Sequence, residues 1–403
     1  MNDKDFIFKQ IDLENNRQTH TIELIASENF PSRDVLAANG SCLTAKYTEG
    51  YPEESSISRF MEIFPEYRHT GKVGRYYGGC GEIDMIELFA RLKFQQAFGT
   101  DYHVNVQPHS GSSANMAAYM AVLKPNDTVL AMNLNNGGHL THGSPVNFSG
   151  KLYDFKSYGV DENGFIDYDD LDEKARRYHP RLIVAGASAY SRIIDFDRIG
   201  RIAKREGALF MVDVAHIAGL IVAGDHPSPF GIADIITSTT HKTLRGTRGG
   251  LIFCTRDLAD KIDSSVFPCC QGGALQHIIA AKAVTACEAC TDEYCQYIHN
   301  VVHNAKAMSD EFIRLGYDVV TGGTDNHLFL IDLSRTHPNT SGRDAQILLE
   351  AFGITLNKNC VPNEKRSPTQ TSGIRIGTAA ETTRGLTADD FVEIAQKIDN
   401  ILR

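Results

Sequence analysis

No apolar run in the 403 residues approaches the roughly 20 needed to cross a bilayer. A membrane-spanning helix is therefore not expected. The opening stretch MNDKDFIFKQIDLENNRQTH has neither an apolar core nor a small-residue cleavage site, so it does not read as a signal peptide. Internal repeats and low-complexity tracts are missing as well. An excess of positive charge is also missing: 40 Lys and Arg face 50 Asp and Glu, for a net charge of −10. That balance argues against bulk binding to nucleic acid or to anionic membranes. The nine cysteines are odd in number and scattered, apart from Cys269-Cys270 and the group Cys287, Cys290, Cys295. They fit free thiols in a reducing cytoplasm better than a disulfide framework.

What is present suits a large folded enzyme. Apolar residues make up 42% and charged residues 22% of the chain, enough to bury a sizeable core. The first 20 residues or so read as a polar helix or arm, and residues 1–35 as an N-terminal arm. Residues 82–98 carry helical apolar spacing and stop at Gly99, and a second helix spans 112–123 before Lys124-Pro125. Short runs at 128–134, 182–185, 209–214, 235–237 and 251–253 are apolar on both faces. Such runs read as buried strands of a largely parallel sheet. The fold class is thus α/β, with a large domain over 36–280 and a smaller α/β domain over 281–403. The smaller part is predicted to hold one long helical stretch (277–315), two short strands, and a closing helix (388–402) capped by Thr387 with Asp390.

Three patterns at predicted strand ends carry chemistry. Pro108-His109-Ser110-Gly111-Ser112-Ser113 leads into a helix. Small residues there expose backbone N–H groups to an anion, although alone they describe any N-cap. Asp213 ends an apolar strand, where a carboxylate is costly unless paired. A protonated ring nitrogen would pair it; so would a helix cap or a core arginine. Lys242 follows another strand among Thr239, Thr240, His241 and Thr243. Desolvation there would expose the neutral amine. An anion cup, a strand-end acid and then a lysine match what pyridoxal phosphate needs: a seat for the phosphate, a partner for the ring nitrogen, and an amine for the aldehyde. The spaced cysteines Cys287, Cys290 and Cys295 read as thiols on a helix face, and no metal site is expected.

The chain resembles the serine hydroxymethyltransferase family, fold-type I pyridoxal-phosphate enzymes with a mostly parallel seven-stranded sheet. The likeness runs through IELIASENF (22–30), LTAKYTEGYP (43–52), RYYGGC (75–80), NVQPHSGSSAN (105–115), GGHLTHGSPVNFSGKLY (137–153), VDVAHIAGL (212–220), TTHKTLRG (239–246) and TSGIRIGT (371–378). It implies that Lys242 carries the cofactor, Asp213 meets its ring nitrogen, and His139 stacks on the ring. It further implies that Ser188 and His216 approach the ring oxygen. Ser110, Gly111, Ser112, Thr239 and His241 would hold the phosphate, with Gly272 and Gly273 reaching a neighbouring subunit's phosphate. Arg375 and Ser27 would bind the substrate carboxylate. Glu49 would be the acid/base, surrounded by Tyr47, Tyr76 and Tyr77. Tyr47 and Tyr77 would enter the neighbour's site, implying a homodimer or tetramer. Tetrahydrofolate would sit against Leu134, Gly138, Leu140, Asn359 and the segment 367–369.

The departures from the family gather near that site. About 20 extra residues (53–74) separate Tyr51-Pro52 from Arg75. They are either a tolerated surface loop or a lid that alters the acceptor. Asn135-Asn136, Thr247, Cys269-Cys270, Thr369 and Ala379 replace the family's residues as well. Three readings follow. One is serine hydroxymethylation with tetrahydrofolate. Another is a folate-independent threonine transaldolase or aldolase that joins a glycyl carbanion to an aldehyde. The last is a non-catalytic binding protein on the same scaffold, which the retained Lys242, Asp213, His139 and Arg375 disfavour.

Overall fold

The computed structural model describes residues 3–403. Its centre is a seven-stranded sheet: β1 (His103–Asn105), β2 (Thr128–Met132), β3 (Asp154–Tyr158), β4 (Leu182–Ala185), β5 (Leu209–Asp213), β6 (Ile235–Thr239) and β7 (Gly250–Cys254). The spatial order is β1-β7-β6-β5-β4-β2-β3. The neighbours from β6 to β3 are parallel, while β7 runs antiparallel to both β6 and β1. This is the mostly parallel seven-stranded α/β sheet that the resemblance implies.

The apolar runs form strands because both of their faces are covered. Leu130, Ile183, Phe210, Val212 and Ile236 enter one core cluster. Val129, Leu182, Val184, Met211 and Ile235 alternate into the cluster on the other face. The helices Gly81–Phe98 and Gly111–Val122 appear as the pattern predicts, and Gly99 closes the first in a left-handed conformation at φ 59°.

A second, antiparallel sheet has the order Asn357–Asn359, Gly373–Gly377, Leu328–Asp332, Asp318–Val319. Phe312, Phe329, Ile374, Phe391 and Ile398 fill its core. Leu24, from the N-terminal segment, is buried in the same cluster, and Ile22–Glu23 pairs in parallel with Ile354–Thr355. The helix Asp3–His20 that precedes it buries none of its residues.

The predicted continuous helix over 277–315 is instead two helices, Gln276–Ala289 and Asp292–Arg314. Thr291 breaks the run by leaving the helical region and capping the second helix, its side chain accepting from Tyr294 N. Cys290 therefore sits at a helix end and not on a continuous face. Among the described residues, all nine cysteines are free thiols, and no helix is long and apolar enough to cross a membrane.

The extra segment 53–74 is not a plain loop. It begins with the helix Glu54–Ile63, whose Ile57 and Phe60 pack with Tyr67 against Leu88 and Leu92. Its two ends meet. Gly50 bridges Arg75, Tyr51 N donates to Gly74 O at 2.9 Å, and Gly74 N donates to Pro52 O at 3.2 Å. The chain on either side of the insert is thus brought together at its base.

Candidate active site

The predicted residues gather at the carboxyl ends of the strands, where open α/β sheets bind ligands. Asp213 ends β5, Thr239 ends β6, Ser188 follows β4 and His139 follows β2. Together with Ser27, Ser110, Gly111, Ser112, His216, His241 and Lys242 they line one cavity of about 270 Å³. His142, Arg248 and Glu28 line it too, and were not singled out from the sequence.

A cup suited to an anion is built at the start of the helix Gly111–Val122. Ser110 is the N-cap: its hydroxyl accepts from Ser113 N at 3.2 Å, and Ser113 Oγ accepts from Ser110 N at 2.9 Å. The hydroxyl of Ser110 is thus committed to the helix, and the N–H groups of Gly111 and Ser112 are the ones aimed at an anion. A Cβ at Gly111 would lie 2.7 Å from Thr239 Cγ2, so only glycine lets β6 pass this close.

Asp213 has neither an arginine nor a helix cap as its partner. Oδ2 accepts from Asn115 Nδ2 at 2.9 Å and faces His142 Nε2 at 3.3 Å, while Oδ1 accepts from Ala215 N at 3.0 Å. Asn115 is held by Thr237, whose hydroxyl donates to Asn115 Oδ1 at 2.6 Å, and it donates in turn to Thr141 Oγ1 at 2.7 Å. Burial opposes charge on Asp213, but the hydrogen bond and charge of His142, with His139 and Lys242, hold its carboxyl far below the usual range. A permanently ionised acid is what a pyridinium nitrogen requires.

Lys242 is 8% exposed, so it is not an ordinary loop lysine. Burial lowers its amine to about 8, against the pull of Asp213 and with help from Arg375 and Arg248. His139 is kept neutral by burial, at about 4, and its Nδ1 meets Thr141 Oγ1 at 2.7 Å. Burial likewise depresses His241, to about 3, and His216. His216 Nδ1 faces His327 Nε2 at 3.3 Å.

Arg375 projects from the strand Gly373–Gly377. Its Nε donates to Asn357 Oδ1 at 3.0 Å and one terminal nitrogen donates to Ser188 O at 2.6 Å. Burial lowers it to about 10, which leaves it a cation at neutral pH.

Glu49 does not line the Lys242 cavity of its own chain. It belongs to a separate, largely exposed group. Tyr47 OH donates to Glu49 Oε1 at 3.2 Å, and the Tyr47 and Tyr77 rings meet edge-on at 5.1 Å. Tyr76, 78% exposed, stands against Phe267. Gly272 and Gly273 lie here as well: Ala274 N, the next donor, bonds Thr48 O at 3.1 Å. The family resemblance placed Glu49 at the substrate and sent Tyr47, Tyr77, Gly272 and Gly273 toward a neighbouring subunit; within one chain the whole group stands apart from the Lys242 cavity.

The remaining predicted residues do not line that cavity. Leu134 and Leu140 are about half exposed, at 43% and 49%. Gly138 has no room for a side chain, since a Cβ would lie 2.3 Å from Met132 O. Residues Asn135, Asn136 and Gly137 share a small cavity with Cys360 and Pro362, which brings the 134–140 loop beside the segment following Asn359. Ser367 and Thr369 are exposed and bond each other through their hydroxyls at 2.9 Å.

The sequence model described as Serine hydroxymethyltransferase matches residues 1–60 and 62–398. The chain belongs to the serine hydroxymethyltransferase family. That membership makes it a pyridoxal-phosphate-dependent transferase acting on a small amino acid. The residues present fit the cofactor: an ionised buried acid, a buried lysine of lowered basicity, and free N–H groups at a helix start. His241 Nδ1 is buried without a protein partner, as expected of a donor meant for a bound group.

Proposed function

We propose that the protein interconverts L-serine and glycine in the cytoplasm, with tetrahydrofolate as the one-carbon acceptor and pyridoxal phosphate on Lys242. The observation that carries this choice of acceptor is the course of the insert. It closes on itself at Gly50 and Arg75, and its helix is taken up in packing on Leu88 and Leu92. The half-exposed side chains of Leu134 and Leu140 would meet a flat heterocycle, with Gly138 and Asn359 as further contacts. Nine free thiols suit a reducing compartment.

Pyridoxal phosphate, once bound, supplies an electron sink for a carbanion at the amino-acid Cα. The chain's own residues do the rest. Gly111, Ser112, Thr239 and His241 would seat the phosphate, Asp213 would hold the ring-nitrogen proton, and His139, Ser188 and His216 would complete the seat of the ring. Arg375, with Ser27, binds the substrate carboxylate through its planar fork. Holding the carboxylate fixes which bond at Cα stands ready to break, a positioning effect. Glu49 takes the serine hydroxyl proton. Because it is absent from its own chain's cavity, Glu49 serves the cavity of a second copy, with Tyr47, Tyr76, Tyr77, Gly272 and Gly273, in a dimer or a dimer of dimers.

One observation favours a second reading. The exposed Ser367–Thr369 pair is polar where the family has an aromatic wall. A folate-independent transaldolase, joining a glycyl carbanion to an aldehyde, would use such an edge. Turnover of serine with and without tetrahydrofolate, beside threonine plus an aldehyde, separates the two. Serine cleavage that rises steeply with folate supports the proposal; equal rates with and without it, alongside fast aldehyde transfer, would overturn it.

A further inference from the structure

Three sulfur atoms meet beside the loop that leads into Gln271. Cys269 Sγ donates to Met120 Sδ at 3.5 Å, and Cys270 Sγ to the same sulfur at 3.8 Å. Cys269 is exposed, while Cys270 and Met120 are half-buried. Met120 lies on the helix Gly111–Val122, about 150 residues from the cysteines in sequence. Nothing in the order of residues announces the group.

The donor set is selective. A thioether carries no proton to lose and no charge, and it is a poor ligand for hard cations. Thiolate and thioether together select Cu(I) among the biological metals. A metal in the plane of three sulfurs, with bonds of ~2.3 Å, holds them ~4 Å apart. Both observed spans lie within half an ångström of that. Zinc would call for four ligands, drawn from thiolate, imidazole and carboxylate, and a thioether is not among them.

The Cys270 thiol is quiet toward oxidants. Burial, then neighbouring Cys269, pushes Cys270 up to about 11, and peroxide chemistry needs the thiolate. A bound metal removes that obstacle by displacing the proton.

We propose that Cys269, Cys270 and Met120 form a three-coordinate site for a soft monovalent cation, Cu(I). On binding, two S–H bonds break and two copper–thiolate bonds form, with a third bond donated by the thioether lone pair. Two protons leave to solvent, and copper stays monovalent, so no oxidant or reductant is needed. The site adjoins the cofactor machinery. Gln271 Oε1 accepts from His109 N at 3.0 Å, and its Nε2 donates to Gln107 O at 3.1 Å, which ties this loop to the segment between β1 and the helix Gly111–Val122.

The test is an anaerobic Cu(I) titration of the holoenzyme against a chromogenic Cu(I) chelator, with proton release followed in weak buffer. One Cu(I) per chain should be withheld from the chelator, with two protons released. Met120→Leu, which keeps both thiols, should weaken retention at least ~10-fold, the scale seen when even outer-shell partners are lost. Cys269→Ser with Cys270→Ser should abolish it, while Cys287→Ser with Cys290→Ser should leave it unchanged. Equal retention in the Met120→Leu chain and its parent, or in the 269/270 double variant and its parent, would overturn the site. If the double variant fails to fold, the Met120→Leu comparison decides alone.

Discussion

Asp213 Oδ2 faces His142 Nε2 at 3.3 Å across 71 residues of sequence. The contact explains how a carboxylate survives at the end of a buried strand. It also gives His142 a role as a positioning residue for the acid. Replacing Asp213 by Asn keeps the shape but removes the charge proposed to hold the ring-nitrogen proton. Turnover should fall at least ~100-fold, the lower end for loss of a positioned proton-holding group.

His142→Leu should act on stability as well, and the sign follows from the direction of the Asp213 shift. The folded carboxyl lies below its unfolded value. Its contribution is therefore present above the unfolded carboxyl range near ~4 and is lost as pH falls. Denaturant unfolding of parent and variant should differ by about 2 kcal/mol at neutral pH. The difference should shrink toward about pH 3. A gap that persisted unchanged in acid would show that His142 acts by packing alone.

Burial lowers the Lys242 amine to about 8. Only the neutral amine attacks an aldehyde, and each pH unit below that value costs about tenfold in neutral amine. The rate at which apo-protein captures pyridoxal phosphate, followed by absorbance, should thus rise with pH and level off above about 8. Asp213→Asn removes the nearby anion that raises the amine, so the same profile should shift to lower pH. A profile still climbing toward the ordinary lysine range would contradict the burial of Lys242.

The strands that carry Asp213 and Thr239 were legible in the sequence because both of their faces are buried, which leaves unbroken apolar runs. The two edge strands, His103–Asn105 and Asp154–Tyr158, were not. They lie at opposite margins of the sheet, and the second carries exposed polar residues. The helix break at Thr291 was hidden because good helix formers continue on both sides of it. At the site, Lys242, Asp213 and the cup stood out by chemistry at strand ends. His142 and Asn115 did not, since their pairing with Asp213 spans 71 and 98 residues. The separation of Glu49 from the cavity is a property of the folded chain that no local motif encodes.

Arg375 is fixed by Ser188 O and Asn357 Oδ1, which aligns the remaining edge of its guanidinium. Arg375→Lys keeps a cation but loses the fork. A drop from two parallel charged hydrogen bonds to one costs about 1.5–3 kcal/mol. KM for serine should rise about 10- to 100-fold, with cofactor absorbance retained. An unchanged KM would place the carboxylate elsewhere.

The insert makes the sharpest mechanical prediction. Phe60 is 1% exposed, with Phe64 and Tyr67 rings at 4.7 and 5.2 Å. Phe60→Ala should destabilise the protein by about 3–5 kcal/mol, the usual cost of emptying an aromatic core position. Because the segment's ends are pinned at Gly50 and Arg75, the loss should stay in the buttress formed with Leu88 and Leu92. The melting temperature should fall, while KM for serine and for folate in the folded enzyme should hold within about twofold of the parent. A KM for folate that rose tenfold in Phe60→Ala, with the serine value unmoved, would instead make the insert part of the folate site.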